Sequence, residues 1–460
     1  MRFLKVLLNV FAIGLLVFDS PACQAVEKPN VILIYTDDQG SIDLNCYGAK
    51  DLITPHLDKL AKSGTRFTQF YSAAPVCSPS RAAVITGRYP QRAGLAGNAS
   101  SKPGGSGLPT DEITMAEMFK SAGYKTAHIG KWHLGYTPDQ MPNAQGFDYS
   151  FGHMGGCIDN YSHFFYWNGP NRHDLFQNGK EIWRDGEFFP DLMVTEAKQF
   201  MEKNKKVPFF MYWAINVPHY PLQGTDKWRK KYEHLDSPRD MYAAFVSTMD
   251  EMIGAVIDCV NDLGIRDNTI IVFQSDHGHS HEERTFGGGG SSGPYRGAKF
   301  SLFEGGIRVP AIISWPGEVP ADQVRSQFAT AVDWLPTVAS MAGIDTPAER
   351  VLDGHDLTDV ICDDADAPAN TFHWQSGRGL GGKPQWAVRH ENWKLIGNPK
   401  DTSNKAPITS KDVMFLVDLS EDVAEMTNVA AENPEIVAQL RKMHEAWLTD
   451  VSKPRGTADD

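Results

Sequence analysis

Near its N-terminus the chain runs Val31-Ile32-Leu33-Ile34-Tyr35-Thr36-Asp37-Asp38-Gln39-Gly40: five apolar residues in a row, a threonine, then two carboxylates. A short apolar run without alternation suits a strand buried on both faces, as in a parallel sheet. The aspartates therefore stand at a strand's C-terminal end, the edge where open α/β sheets bind ligands. Adjacent carboxylates there can converge on a hard cation through oxygen, although an Asp-Asp pair before a turn is otherwise ordinary turn chemistry.

The same arrangement recurs along the chain. Tyr124 to Ile129 reads as a strand delivering Gly130-Lys131-Trp132-His133 at its exit. Pro208 to Asn216 runs into Val217-Pro218-His219-Tyr220-Pro221, where two prolines hold His219 on a stiff extended segment. Thr269 to Phe273 ends in Gln274-Ser275-Asp276-His277-Gly278, and Arg66 to Tyr71 and Ala311 to Trp315 read as further strands. Helices fall between them. Thr54-Pro55 opens one that Gly64 ends, Thr114 and Glu117 form a capping box for another through Ala122, and Asp191 to Asn204, Met241 to Leu263 and Val332 to Ala342 follow. Strand, helix, strand with polar groups at the exits is the doubly wound α/β pattern. Asp148 to Gly169, rich in glycine and aromatics with His153 and His163, reads as an irregular wall. Its rings are core by default, with sugar stacking as the alternative. Beyond about residue 345 the pattern changes to a hairpin (Trp386 to Arg389, Trp393 to Ile396), a third strand (Met414 to Leu419) and a final amphipathic helix opened by Asn433-Pro434.

A chain of 460 residues, 41% hydrophobic, can bury a large core. The formal net charge of −13 argues against binding nucleic acid through a basic surface, so an anionic substrate must be held by a local cluster. Residues 1–25 read as an export signal: Arg2 and Lys5 precede an apolar run from Leu7 to Phe18, with small residues around Ala22 and Ala25. The run is too short for a good membrane span, and no other membrane segment follows. Export to the periplasm or medium is expected; lipid anchoring at Cys23 is the alternative, which Ser20 and Pro21 fit poorly. Cys46, Cys157, Cys259 and Cys362 lack metal-ligand spacing and leave free thiols and disulfides both open.

One stretch carries more. In Pro75-Val76-Cys77-Ser78-Pro79-Ser80-Arg81, Cys77 stands where a helix begins, because Pro79 fits a first turn and Ser80 to Ile85 reads helical. Helix starts favour anions, and Arg81 adds a donor fork suited to tetrahedral oxyanions. The residues alone admit an activated thiol or a buried structural cysteine. The whole pattern, Cys-x-Pro-Ser-Arg with Thr86-Gly87 following, resembles the signature of type I sulfatases of the alkaline phosphatase superfamily. Gly123-Tyr124 through Gly130-Lys131-Trp132-His133 resembles that family's second signature.

The resemblance implies an alkaline-phosphatase-like α/β sandwich with a large mixed, mostly parallel central sheet flanked by helices, and a smaller C-terminal subdomain with an antiparallel sheet and one helix. The expected division is a signal peptide at 1–25, a catalytic domain at 26–345 and the C-terminal subdomain at 346–460. It implies that Cys77 is oxidised by a formylglycine-generating enzyme to 3-oxoalanine (formylglycine), an aldehyde whose hydrate attacks sulfur. It implies one calcium ion held by Asp37, Asp38, Asp276, His277 and the modified Cys77. The softer imidazole of His277, where some members carry Asn, makes calcium a less firm choice. Arg81 and Lys131 then stabilise the diol and oxyanions, His219 and Lys299 protonate the leaving group, and His133 helps to expel sulfate. The expected substrate is a sulfate monoester, on a carbohydrate rather than a simple aryl sulfate. The alternatives are a phosphonate or phosphodiester hydrolase sharing the Cys-x-Pro-x-Arg site, a silent binder of sulfated glycans, and a hydrolase that uses unoxidised Cys77 as a thiol.

Overall fold

The computed structural model describes residues 28–166, 170–403 and 405–453. The expected export signal with Cys23, and Trp167 of the aromatic stretch, lie outside the described residues. Ten strands form the main sheet: β1 (Asn30–Thr36), β2 (Thr65–Phe67), β3 (Lys125–Lys131), β4 (Tyr149–His153), β5 (Phe176–Gln177), β6 (Lys180–Glu181), β7 (Phe209–Ala214), β8 (Thr269–Ser275), β9 (Ala311–Ser314) and β10 (Gln323–Arg325). Their spatial order is β10-β2-β9-β8-β1-β7-β3-β4-β5-β6. The central five, from β8 to β4, are parallel, and the antiparallel pairings flank them. This is the mixed, mostly parallel sheet expected.

Helices cover both faces. Val31, Leu33 and Tyr35 of β1 pack into one core with residues of α2 (Cys77–Thr86), α3 (Met115–Ser121) and, through Trp334, the helix at Trp334–Met341. Ile32 and Ile34 point the other way, into a core shared with α1 (Pro55–Lys62), α4 (Phe189–Asn204) and α5 (Arg239–Asp262). The apolar run of β1 lacks alternation because each face has its own core. Each side chain so buried contributes about 1.5–3 kcal/mol.

Register positions the chemistry. Thr36 pairs with Ser275 and Ala214 with Gly130, so β1, β8, β7 and β3 end together and Asp37, Asp276 and Lys131 sit at one sheet edge. Gly130, at φ 114°, is required there, since a Cβ would lie 2.0 Å from the Ala214 carbonyl oxygen.

Three expectations are corrected in detail. Arg66 to Tyr71 is not one strand: β2 ends at Phe67, and Phe70–Tyr71 pairs with Ala329–Thr330 in a separate sheet. Between them the Thr68 carbonyl accepts from Arg308 Nε (2.8 Å) rather than from a strand neighbour. The Asp148–Gly169 stretch is not wholly irregular, because Tyr149–His153 extends the main sheet as β4. The small sheet has four strands, β11 (Thr371–Arg378), β12 (Pro384–His390), β13 (Trp393–Gly397) and β14 (Met414–Asp418), with the helix Pro434–Val451 against it. β11, absent from the sequence reading, offers only two apolar residues: Phe372 and Trp374 enter the core shared with Tyr71 and Tyr89, while His373 between them stacks on Trp447.

The five described cysteines are free. Among the described residues, no helix is long and apolar enough to cross a membrane.

Candidate active site

Most candidate side chains are carried by a strand exit or by α2. Asp37 and Asp38 follow β1, Lys131 ends β3, His219 follows β7, Asp276 and His277 follow β8, and Cys77 is the first residue of α2. All are buried. Lys299 reaches in from the segment after the Gly287–Gly293 loop and lies 2.8 and 3.0 Å from the two Asp38 carboxylate oxygens.

The groups meet around the Cys77 sulfur. Asp37 Oδ1 is 3.8 Å and His277 Nε2 3.4 Å from Sγ. His277 Nε2 also lies 3.6 Å from Asp38 Oδ1 and 3.5 Å from Asp276 Oδ1. Lys131 Nζ is 2.7 Å from Asp37 Oδ2, and Arg81 Nη2 is 3.0 Å from Asp276 Oδ2 and 3.5 Å from Asp37 Oδ1. His219 Nε2 stands 3.6 Å from Asp38 Oδ2. One donor atom each from Asp37, Cys77, Asp276 and His277 falls within 4.8 Å of the others, and the same holds for Asp37, Asp38, Cys77 and His219.

Electrostatics match a cation-binding cluster. Burial opposes ionisation of Asp37, but the cations of Lys131 and Arg81 outweigh it and hold the carboxyl well below the usual range. Burial, reinforced by the neighbouring acids, pushes Asp38 and Asp276 up to about 7. Two carboxylates that gain so much from an added positive charge, beside a third that is already ionised, fit a divalent cation with oxygen ligands. His277 Nδ1 donates to the Gly278 carbonyl at 2.9 Å, so Nε2 faces the acids; burial opposes its protonation, but Asp276, Cys77 and Asp38 outweigh it and draw the ring up to about 9. For Cys77, burial is outweighed by Lys131 and Lys299, and the thiol is drawn down to about 6.

A cavity of about 160 Å³ opens over the cluster. Cys77, His133, His219 and Lys299 line it, together with Ser101, Glu282 and Arg284, which sequence reasoning missed. Glu282 and Arg284 form an ion pair in a loop whose only sequence signal is its charge, and charge in a loop reads as solvated. Of the aromatic stretch, Phe165 lines the cavity and Phe151 is core, while His153 and His163 are tied by ring nitrogens to the carbonyls of Gly155 and Glu187. A larger cavity of about 450 Å³, lined by Lys125, Tyr149 and Glu196, lies at the starts of β3 and β4 and holds none of these groups.

The Sulfatase family model matches residues 29–344, and that of the N-sulphoglucosamine sulphohydrolase C-terminal region matches 297–452. N-acetylgalactosamine-6-sulfatase of Rattus norvegicus is 36% identical over 366 residues, 75% of this chain and 67% of that protein. Arylsulfatase A of Homo sapiens is 32% identical over 454 residues, covering 90% of this chain and 87% of the relative. The solved structure of Ps i-CgsB in complex with k-i-k-neocarrahexaose superposes with a TM-score of 0.83 at 32% identity, covering 94% of this chain and 95% of that one. Fold, site composition and these similarities agree: the chain belongs to the type I sulfatase family of the alkaline phosphatase superfamily, enzymes that hydrolyse sulfate esters.

Proposed function

We propose that this sulfatase hydrolyses sulfate monoesters of carbohydrates outside the cytoplasm, after oxidation of Cys77 to formylglycine by a formylglycine-generating enzyme. The observation that carries this reading is the convergence of Asp37, Asp38, Asp276 and His277 on the residue-77 side chain, at the floor of a cavity edged by His133, His219 and Lys299. Relatives named for a sulfated amino sugar, and a solved relative in complex with k-i-k-neocarrahexaose, support the carbohydrate class. The domain division at about residue 345 belongs to the same proposal.

Asp37, Asp38, Asp276 and His277, with residue 77, would hold one calcium ion, which when bound supplies positive charge to the sulfate oxygens. Residue 77, once oxidised and hydrated, would supply a hydroxyl nucleophile and a second hydroxyl for sulfate release. Around these groups the chain's own residues have distinct tasks. Lys131 holds Asp37 ionised, Arg81 holds Asp276 in place, and their remaining donors neutralise oxyanion charge. Asp276 is the base for the nucleophilic hydroxyl. Lys299, held well above its ordinary range chiefly by Asp38 against burial, stays charged and stabilises the leaving oxygen. His219 donates Nδ1–H to the Tyr220 carbonyl at 2.9 Å, so Nε2 faces the site; burial keeps it neutral, and an anionic substrate raises its proton affinity for delivery to the leaving group. His133 lies 3.5 Å from Ser101 Oγ at the cavity wall and serves sulfate expulsion.

A second reading has an observation in its favour. A Cys77 thiol drawn down to about 6, with His277 Nε2 at 3.4 Å, is also what a thiol hydrolase requires. Mass spectrometry of the Cys77 peptide from active protein separates the two, together with a screen of defined sulfated saccharides for released sulfate. Formylglycine at position 77 and sulfate release from saccharides are expected. Active protein with an intact, alkylation-sensitive thiol would overturn the mechanism, and activity confined to aryl sulfates would overturn the substrate class.

A further inference from the structure

Lys299 is delivered by a short arch, residues 296–301, whose neighbours are tethered to the C-terminal part of the chain. Arg296 Nε donates to Asp401 Oδ2 at 2.8 Å, and its other nitrogens donate to the carbonyls of Glu425 and Ala406 at 2.9 Å each. The Gly297 and Ala298 amides donate to Ser403 Oγ (2.9 Å) and Thr402 Oγ1 (3.0 Å). Gln385 Nε2 donates to the Phe300 carbonyl at 2.7 Å, and Ser301 Oγ donates to the Lys400 carbonyl at 2.7 Å. Lys299 points the other way, its amide donating to the His279 carbonyl (2.8 Å) and its ammonium held on Asp38.

The tether works against a local cost. Phe300 sits at φ 69°, a conformation that a bulky side chain adopts only when its surroundings hold it there. The Pro75 carbonyl holds it on one side, accepting from the Phe300 amide at 2.8 Å, and Gln385 holds it on the other. Ser403 Oγ donates to Asp401 Oδ1 at 2.7 Å, so its lone pair is turned toward Gly297. A lysine on a flexible four-carbon stem acts as a placed charge only if its backbone is fixed, and an error of about 1 Å in such a group costs about a hundredfold in rate.

We propose that Gln385, Thr402 and Ser403 are positioning residues for Lys299, so that the small C-terminal sheet and its loops govern the leaving-group half of the reaction. The inference rests on the reading above that Lys299 meets the leaving oxygen. The test uses the full-length, matured protein and two probes, para-nitrophenyl sulfate with a good leaving group and phenyl sulfate with a poor one. Thr402→Val/Ser403→Ala and, separately, Gln385→Leu are expected to lower kcat/KM on phenyl sulfate by roughly ten- to a hundredfold and on para-nitrophenyl sulfate by less than about threefold. The hydroxyl-retaining pair Thr402→Ser/Ser403→Thr is expected to stay within about threefold of the parent on both probes. In a Lys299→Ala background the same changes should add nothing. An equal fall on both probes marks mere loss of folded protein and overturns the proposal, as does no fall. If the double variant does not fold, the near-isosteric Thr402→Val alone decides by the same ratio. A Lys299→Ala variant with no leaving-group dependence would sink the reading of Lys299 and the proposal with it; a steep dependence there, with flat positioning variants, would sink the positioning alone.

Discussion

At Cys77 three influences meet in one side chain: the start of α2, the ammonium groups of Lys131 and Lys299, and His277 Nε2 at 3.4 Å. Cys77→Ala is expected to reduce sulfate-ester hydrolysis by at least about 10³-fold with little change in melting temperature, since a small buried side chain gives way to a smaller one. Retention of more than a few per cent of activity, measured as released sulfate, would contradict a nucleophile at this position. His277 offers a second test. Asparagine presents an amide oxygen to the same cluster, so His277→Asn is expected to keep calcium-dependent activity within about tenfold, whereas His277→Ala should lose far more. Chelation of the parent should abolish activity and lower the melting temperature, with calcium restoring both. A parent enzyme indifferent to chelator would remove the metal from the proposal.

Among the elements, β11 and the C-terminal helix carry a pH-dependent contact. His373 stacks on Trp447 at 5.2 Å and His444 on Trp386 at 4.4 Å, with neither His444 ring nitrogen hydrogen-bonded. Burial, with His444 and His390 adding to it, draws His373 down to about 3; burial draws His444 down to about 4. Above the ordinary histidine value of about 6.5 both rings are neutral in the folded and unfolded chain, and pH has no leverage through them. As pH falls below about 6.5 the unfolded chain takes up protons that the folded rings refuse, so stability should decline from about pH 6.5 toward pH 4. His444→Phe keeps the stack and removes one titrating group. It is expected to shrink the melting-temperature drop between pH 7 and pH 5, and an unchanged drop would show that the acid sensitivity lies elsewhere.

For the whole molecule, a buried ion cluster joins the two parts of the chain. Lys394 Nζ of β13 lies 2.9 Å from Glu304 Oε1 and 3.0 Å from Glu425 Oε1, with all three side chains fully buried. Glu304 Oε2 accepts from the Tyr71 hydroxyl at 2.6 Å, which also accepts from Arg389 Nη1 at 2.6 Å. Glu304 ends the segment that carries Lys299, so this cluster pins one foot of the arch to the small sheet. Lys394→Met leaves two buried carboxylates facing each other and is expected to cost about 3–5 kcal/mol. Adding Glu304→Gln and Glu425→Gln should recover part of that loss. Denaturant unfolding measures both, and a single-variant loss below about 1 kcal/mol would show that the cluster is not a structural joint.

Much of this protein is legible in the chain itself, because strand exits are local features. Apolar runs that stop on charged residues mark β1, β3, β7 and β8, and with the family signatures around Cys77 and Lys131 they lead to Asp37, Asp38, Asp276, His277 and His219. The rest is decided by contacts between residues far apart in sequence. β11 is hidden because Phe372 and Trp374 are its only apolar residues, Glu282 and Arg284 read as solvated until the fold turns them onto the cavity, and the bonds from Gln385, Thr402 and Ser403 to the Lys299 arch span about a hundred residues. Composition and periodicity report how a segment meets its own neighbours; which distant carbonyl or hydroxyl satisfies a loop's backbone is settled only when the large and small sheets and their loops pack.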